Sequence, residues 1–418
     1  MKITVHTSKS IKPAYVSGSA NHAPAATTSD VVPLTVFDEV NHDMYIPGIL
    51  AFHPPAPSVA VLEAGLAKVL AKNREWAGRL VMDTGSKRVI LLNDAGARLA
   101  EVSADVALDV VLPLRVGPEA LQLHPSCDGA EDLLLVQVTR FPCGPFTVGY
   151  NIHHYVSDSY ATCTCLMAWG MAVRGVALDP AMVHDRASLF VPRDPPLVEF
   201  EHRGIEFKPR VEKKAFDNND GADDDVVVET MHFSQEFISQ LKSRASAGER
   251  RPYSTVQRVV AHLWRCVTFA RDLDMHEVTS WLHIAVNGRR RMMNPTHHRA
   301  GADGHSPASH GRALISQAVF HVDDRYFRSF IDFACSGAVE REGLVRTTVL
   351  SELVMRTNIE IDSVLGIPFY DLDLGSGNPF LYVPSTPQPV EGAIYLMSSF
   401  SGDGGVVAYV SLFRHAVD

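Results

Sequence analysis

The chain has 418 residues, 46% hydrophobic and 21% charged, with a mean hydropathy near zero. This profile excludes a disordered or fibrous chain, and at roughly 100–200 residues per domain the length predicts two domains. The formal charge of -10, from 38 Lys+Arg against 48 Asp+Glu, comes with no long basic stripe, so nucleic acid is not expected as a partner.

No apolar run reaches the roughly 18 residues that a membrane helix requires. The opening MKITVHTSKSIKPAYV lacks the apolar stretch of a secretory signal. Cys127, Cys143, Cys163, Cys165, Cys266 and Cys335 show no paired metal spacing and read as reduced core thiols. These features predict a cytoplasmic protein with no membrane association.

In chain order, Val31–Val36 and Gly48–Phe52 read as strands. Leu62, Leu66, Val69 and Leu70 recur at helical spacing, with Trp76 just beyond, and Val89–Asn93 again reads as a strand. Leu133–Phe141 and Phe146–His153, separated by Cys143-Gly144-Pro145, predict two strands joined by a tight turn. Tyr160–Arg174 is apolar nearly all round, as a buried helix is.

Between about 190 and 226 prolines cluster at Pro192, Pro195, Pro196 and Pro209, and an acidic stretch runs from Asp217 to Asp225. This composition predicts a solvated crossover. The second half restarts with a strand, Val226–Phe233, and a helix capped by Ser234. A stronger helix begins at Ser254, with Val256, Val259, Val260, Leu263 and Val267 on one face. Ala393–Met397 and Val406–Leu412 are late strands. The predicted organisation is a mixed α/β chain in two lobes, 1–190 and 227–418, joined by a linker at 191–226. No internal repeat is present.

Two short segments carry the chemistry. His153-His154-Tyr155-Val156-Ser157-Asp158 stands where a buried strand runs out into a turn and a helix. An imidazole placed there titrates near neutral pH and suits a general base, although a core histidine with satisfied hydrogen bonds fits the same spacing. Asp371-Leu372-Asp373-Leu374-Gly375-Ser376-Gly377, near the C-terminus, reads on its own as a tight structural turn.

Taken together, HHYVSD and DLGSG resemble the HxxxD and DFGWG signatures of the plant BAHD acyltransferases. Further stretches agree with that family in order and spacing: Asp30–Thr35, Arg74–Leu80, Ala261–Arg265, and Asn287-Gly288-Arg289 where Asp-Gly-Arg is usual. The opening MKITVHTSKSIKPAY together with HDRASLFVPRDP, VEFEHRGIEFKP and SFIDFACSGAVERE is similar to the cereal branch that acylates agmatine and putrescine. The resemblance covers most of the chain.

The resemblance implies an α/β fold of two lobes with similar mixed-sheet-plus-helix topology, like chloramphenicol acetyltransferase. It implies acyl-CoA as co-substrate, no permanently bound cofactor, a monomer, and small-molecule substrates as the only partners. It implies that His154 deprotonates the acceptor, which attacks the thioester directly without an acyl-enzyme. Asp158 is then a structural residue, as are Gly375, Gly377 and Asp373, the last paired with Arg289 across the lobes.

The expected reaction is transfer of a hydroxycinnamoyl or related aromatic acyl group to an amine such as agmatine or putrescine. The alternatives are an O-acyltransferase with a hydroxylated acceptor, a tryptamine or tyramine N-acyltransferase, and a catalytically impaired paralogue. A cationic acceptor keeps a second positive charge, for which Asp362 and Asp371 are candidate anchors. Ser254 and Thr255, at a helix start, are candidate contacts to pantetheine or phosphate, and Ser254 reads equally as a simple N-cap.

The sequence departs from the family at Leu374 and Ser376 within the loop, and at Val364, where many relatives carry tryptophan. It departs again over 290–312, a stretch rich in His, Gly and Arg, and the chain stops at Asp418 where relatives usually add a last helix. His297, His298, His305 and His310 have irregular spacing, so no metal site is assigned there.

Overall fold

The structure is a computed structural model that describes residues 1–15, 30–112, 114, 118–142, 144–178, 189–210, 225–245, 253–273, 280–292, 315, 319–347, 357–384 and 389–417. Its chain divides into two compact units. The first is Met1–Phe190 with Ile367–Gln388, the second Val191–Gly366 with Pro389–Asp418.

The first unit is built on a six-stranded sheet in the order Ile3–Ile11, Ala97–Ala104, Leu134–Arg140, Phe146–His153, Tyr45–Phe52, Leu381–Pro384. All neighbours run antiparallel except Ala97–Ala104 and Leu134–Arg140. Every residue of Phe146–His153 is buried, including the polar Thr147, Asn151 and His153 that alternate with its apolar residues. Helices Val59–Leu70 and Ser159–Val173 pack together through Gly65, where a Cβ would stand 2.7 Å from Val173 Cγ2. The Trp169 indole N–H donates to the Leu62 carbonyl at 2.9 Å.

The strand expected over Val31–Val36 is shorter than predicted, Val31–Pro33, and a helical turn follows at Val36–Glu39. Pro33 cannot donate to a further ladder, and Thr35 forms a reciprocal capping box with Asp38 that starts a helix instead. Ile3–Ile11 and Ala97–Ala104 were not singled out by pattern. The first is an edge strand, mostly exposed, and so carries little apolar signal.

The second unit has a five-stranded sheet in the order Val226–Phe233, Val406–Phe413, Ala393–Ser398, Ile359–Ser363, Leu282–Ile284. Helix Thr255–Ala270 lays Val259, Val260, Leu263 and Val267 against Ile359, Ile361, Ile394, Leu396, Ala408 and Val410. Each of these buried valine, leucine and isoleucine side chains contributes about 1.5–3 kcal/mol.

Two boundaries differ from those read in the sequence. Residues 191–210 are not a free linker, because they are bonded into the second unit along helix Asp324–Cys335. Arg193 reaches Asp332 at 2.7 Å, and Ser329 Oγ accepts the N–H groups of Glu199 and Phe200 at 2.9 and 3.1 Å. The DLGSG segment, in turn, does not belong to a 227–418 lobe. Leu381–Pro384 pairs with Tyr45–Phe52 and so draws Ile367–Gln388 into the first unit. Most of the acidic stretch (217–224) and the His-rich stretch (293–312) lie outside the described residues. Among the described residues no helix is long and apolar enough to cross a membrane.

Candidate active site

The strand Phe146–His153 delivers two adjacent histidines to its end, and their environments differ. His153 pairs with Tyr45 in the sheet and is buried. Its Nδ1 accepts the Tyr155 N–H at 3.3 Å, so the ring proton sits on Nε2, 3.5 Å from Asp43 Oδ1. Burial pushes its pKa down to about 4 even though Asp43 pulls the other way. His153 is a neutral structural imidazole.

His154 extends the pairing by one residue, donating its N–H to the Met44 carbonyl at 2.9 Å. The chain then turns, with Val156 N–H bonded to the His153 carbonyl at 3.0 Å. The His154 side chain is half-buried, and its Nδ1 is fully buried without a hydrogen-bond partner. Nε2 makes no hydrogen bond either and is not closed off from solvent.

Burial is the largest influence on the ring and lowers its pKa. The carbonyls of His154 and Ser157 and the charge of Asp158 raise it, while the His42 ring, 6.4 Å away between centroids, lowers it. The result is a neutral imidazole with one nitrogen free to accept a proton.

Asp158 begins the next helix. Its Oδ1 accepts the Ala161 N–H at 2.9 Å, and Ser157 Oγ ties the turn to Thr162 Oγ1 at 2.9 Å. No hydrogen bond joins Asp158 to the His154 ring among the described residues. It fixes the turn that carries the histidine and acts on the ring through its charge.

The DLGSG loop sits at the other end of the same helix. Asp373 Oδ1 accepts the N–H groups of Gly375 and Gly377 at 2.7 and 3.0 Å, and Oδ2 pairs with Arg174 at 3.2 Å. Both glycines have positive φ, +93° and +80°, which a side chain would strain. Ser376 Oγ donates to the Pro55 carbonyl at 2.6 Å.

The helix makes room for this loop at Gly170, where a Cβ would lie 2.5 Å from the Asp373 carbonyl oxygen. A helix of 15 residues is about 22 Å long, so the loop is remote from His154. Within the first unit, Arg174 is a cation paired with Asp373. Strand pairing brings the loop into the first unit, beside Arg174. Arg289 belongs to the second unit, where its N–H bonds Asn287 Oδ1 at 3.1 Å.

Asp371 is exposed in the turn Phe369–Asp371, which is anchored by Phe369 stacking on Tyr382 at 4.3 Å. It lies close enough to Cys163 to add to the burial that pushes that thiol up to about 12. Asp362 is exposed on strand Ile359–Ser363 of the second unit. Ser254 caps helix Thr255–Ala270 in a capping box, accepting the Gln257 N–H at 3.2 Å, with Thr255 next to it.

Sequence reasoning did not single out Met44, His42 or Arg174, which act through contacts distant in sequence and carry no local pattern. Among the described residues no cluster of three or more His, Cys, Asp or Glu side chains is arranged to hold a metal ion.

A half-buried neutral histidine at a strand end, on a turn held by a helix-capping aspartate, has the chemistry to accept a proton. The Transferase family model matches residues 1–301. Agmatine hydroxycinnamoyltransferase 1 of Oryza sativa subsp. japonica is 53% identical over 447 residues, covering 100% of this chain and 97% of that protein. Agmatine coumaroyltransferase-1 of Hordeum vulgare is 54% identical over 432 residues, covering 99% and 97%. Putrescine hydroxycinnamoyltransferase of Oryza sativa subsp. japonica is 40% identical, covering 100% and 98%.

Among solved structures, vinorine synthase matches with a TM-score of 0.69 at 23% identity, covering 99% of this chain and 96% of that one. F. graminearum TRI101, complexed with coenzyme A and T-2 mycotoxin, matches with a TM-score of 0.72 at 14% identity, covering 93% and 96%. These two likenesses define the fold. The chain belongs to the Transferase family, the BAHD acyltransferases.

Proposed function

We propose that this chain is a CoA-dependent N-acyltransferase that moves a hydroxycinnamoyl or related aromatic acyl group onto a cationic amine, with agmatine first and putrescine second among acceptors. The observation that carries the reading is full-length identity of 53% and 54% to two agmatine transferases, joined to a neutral His154 with an open Nε2.

The geometry supports a direct transfer. An alkylammonium is not a nucleophile until it loses a proton. Once the amine is free, Nε2 of His154 takes a second proton as nitrogen adds to the thioester carbonyl. The tetrahedral oxyanion collapses, the C–S bond breaks, and the CoA thiolate takes the proton from the imidazolium. A C–N bond replaces a C–S bond, and starting from the ammonium one proton is released to water.

No acyl-enzyme is needed in this scheme. The buried thiols of Cys163 and Cys165 support that, because burial drives both pKa values well above the ordinary thiol range and leaves them poor nucleophiles. Asp371 and Asp362 are proposed as anchors for the second cationic group of the acceptor, and Ser254 and Thr255 as contacts to CoA. The enzyme is read as a cytoplasmic monomer.

The test offers p-coumaroyl-, feruloyl- and benzoyl-CoA against agmatine, putrescine, spermidine, tryptamine, tyramine, shikimate and quinate, read by mass spectrometry. Amide formed with agmatine, absent in His154→Ala, is the expected result. Ester products alone would move the chain to the O-acylating branch. For the anchors, Asp371→Asn and Asp362→Asn are expected to raise KM for agmatine without changing KM for the acyl-CoA.

A further inference from the structure

The second unit encloses a chain of polar side chains between helix Asp324–Cys335 and residues 193–206 of the crossover. His202 and Ser329 are both fully buried, with His202 Nε2 2.9 Å from Ser329 Oγ. His202 Nδ1 lies 3.1 Å from Glu206 Oε2, and the Tyr326 hydroxyl donates to Glu206 Oε1 at 2.5 Å. The rings of Tyr326, Phe330 and Phe333 surround the imidazole at 5.2, 5.7 and 5.5 Å between centroids. The order Ser–His–Glu is that of a hydrolytic triad, but a serine closed off from solvent can meet no substrate. The cluster serves the fold instead.

Counting donors and acceptors places every proton. Ser329 Oγ accepts the N–H groups of Glu199 and Phe200, which occupies both of its lone pairs. Its own proton therefore goes to His202 Nε2, its remaining partner among the described residues. Nε2 is then an acceptor, and the ring proton sits on Nδ1 and is donated to Glu206. This is the opposite tautomer to that of His153. The arrangement holds only while the imidazole is neutral. Protonation sets a second hydrogen between Nε2 and Oγ, so the Ser329 hydroxyl must turn away unpartnered or let go of the crossover amides. In a released crossover the imidazolium meets water instead. The released form binds the proton more tightly, so the contact weakens as pH falls through the histidine range.

The charged groups nearby modulate this without removing it. Glu206 and the three aromatic faces favour an imidazolium and so set how far the pH must fall. Arg203 opposes it from the other side of Phe333, 4.8 Å from that ring centroid, and pairs outward with Glu201 and Glu342. Glu199 is held by Arg193 and Arg325. A second anchor lies one turn along the helix and contains no histidine. Asp332 Oδ1 accepts the Arg193 N–H and Oδ2 the Leu197 N–H, both at 2.8 Å. Burial raises the pKa of Asp332, but the Leu197 and Arg193 amides and the Arg193 guanidinium outweigh it and hold the carboxyl below its usual range. That anchor stays charged at pH 5.

We propose that His202 is an acid-sensitive latch: at neutral pH it holds residues 199–202 of the crossover on Ser329, and on protonation it releases them while the Asp332 anchor keeps residues 193–197 in place. Arg193, His202 and Ser329 come from HDRASLFVPRDP, VEFEHRGIEFKP and SFIDFACSGAVERE, three segments that the acyl-transfer chemistry leaves unused. The latch goes beyond that chemistry and does not depend on it.

The test follows residue-resolved amide exchange of the full-length chain at about pH 7.5 and about pH 5, on either side of the ordinary histidine range, each rate divided by the intrinsic rate at that pH. In wild type, protection of Glu199 and Phe200 is expected to fall about tenfold or more on acidification, with Arg193 and Leu197 changed much less. His202→Gln can still accept from Ser329 and donate to Glu206 but does not titrate, and is expected to remove the pH dependence. Ser329→Ala is expected to deprotect Glu199 and Phe200 at both pH values. Nitrogen-15 NMR at neutral pH reads the tautomer, and the imidazole lost in His202→Gln is expected to carry its proton on Nδ1. Equal protection of Glu199 and Phe200 at both pH values, an equal fall at Arg193 and Leu197, an equal fall in His202→Gln, or a ring proton on Nε2 overturns the proposal. The comparison of the two anchors is made within the wild-type chain, so it requires neither a folded variant nor acyl transfer.

Discussion

Asp158 and Asp373 bracket one helix. Asp158 accepts the Ala161 N–H at 2.9 Å at its N-terminus, and Asp373 reaches Arg174 at 3.2 Å at its C-terminal end. The two sequence signatures are thus joined by the rigid body of Ser159–Val173 rather than by meeting at a common site. Only one of them, through His154, carries a group able to move a proton. The other holds the loop that seats the helix.

His154→Ala is expected to lower kcat by about 10²–10⁴-fold, the usual contribution of a positioned general base, with the CoA thermal shift kept. The acid limb of the wild-type pH–rate profile is expected to lie below 6.5, because burial lowers the pKa of His154 and its basic form persists to lower pH. A limb above 6.5 would contradict this assignment.

Buried neutral histidines make stability fall on acidification. The imidazole of His153 protonates near 6.5 when unfolded but only at about 4 when folded. Its contribution is therefore complete above pH 6.5, is lost as pH falls from 6.5 to about 4, and is constant below that. The loss is about 3 kcal/mol. His124, pushed to about 4 by burial, has the same sign. His153→Gln is expected to shrink the acid-induced drop in melting temperature over that window without abolishing it.

Gly170→Ala reverses the usual sign of a helix substitution. Alanine gains about 1 kcal/mol over glycine in an exposed helix interior. Here the new Cβ would stand 2.5 Å from the Asp373 carbonyl oxygen, a backbone atom that cannot move aside alone. Chemical denaturation is expected to show a net loss of at least about 1 kcal/mol, and a gain would mean that the loop does not press on the helix.

Asp373→Ala removes two amide acceptor contacts and the Arg174 pair together. A stability loss of about 1–3 kcal/mol is expected, with kcat per folded molecule changed less than in His154→Ala. Arg174→Ala is expected to cost less, since Arg174 is more exposed than Asp373 and the two amide bonds to the loop remain.

Local physics alone made several features legible. Ser254 announced a helix start because a side-chain oxygen three residues before an unpaired N–H is a local device. The apolar face of Thr255–Ala270 and the alternating pattern of Phe146–His153 were readable because burial sets residue type at fixed periods. The HHYVSD turn placed His154 at the strand end for the same reason, and the resemblance supplied its role.

What remained illegible depended on pairing between distant segments. The strand Leu381–Pro384 is short, and nothing in its four residues states that its partner is Tyr45–Phe52, more than 300 positions earlier. That one pairing decides which unit owns the DLGSG loop and brings Asp373 beside Arg174. Arg258 is the counterpart on the chemical side. A lone arginine among helix formers reads as solvated until packing buries it, and only the tertiary structure shows that Arg258 is buried, with no counterion among the described residues.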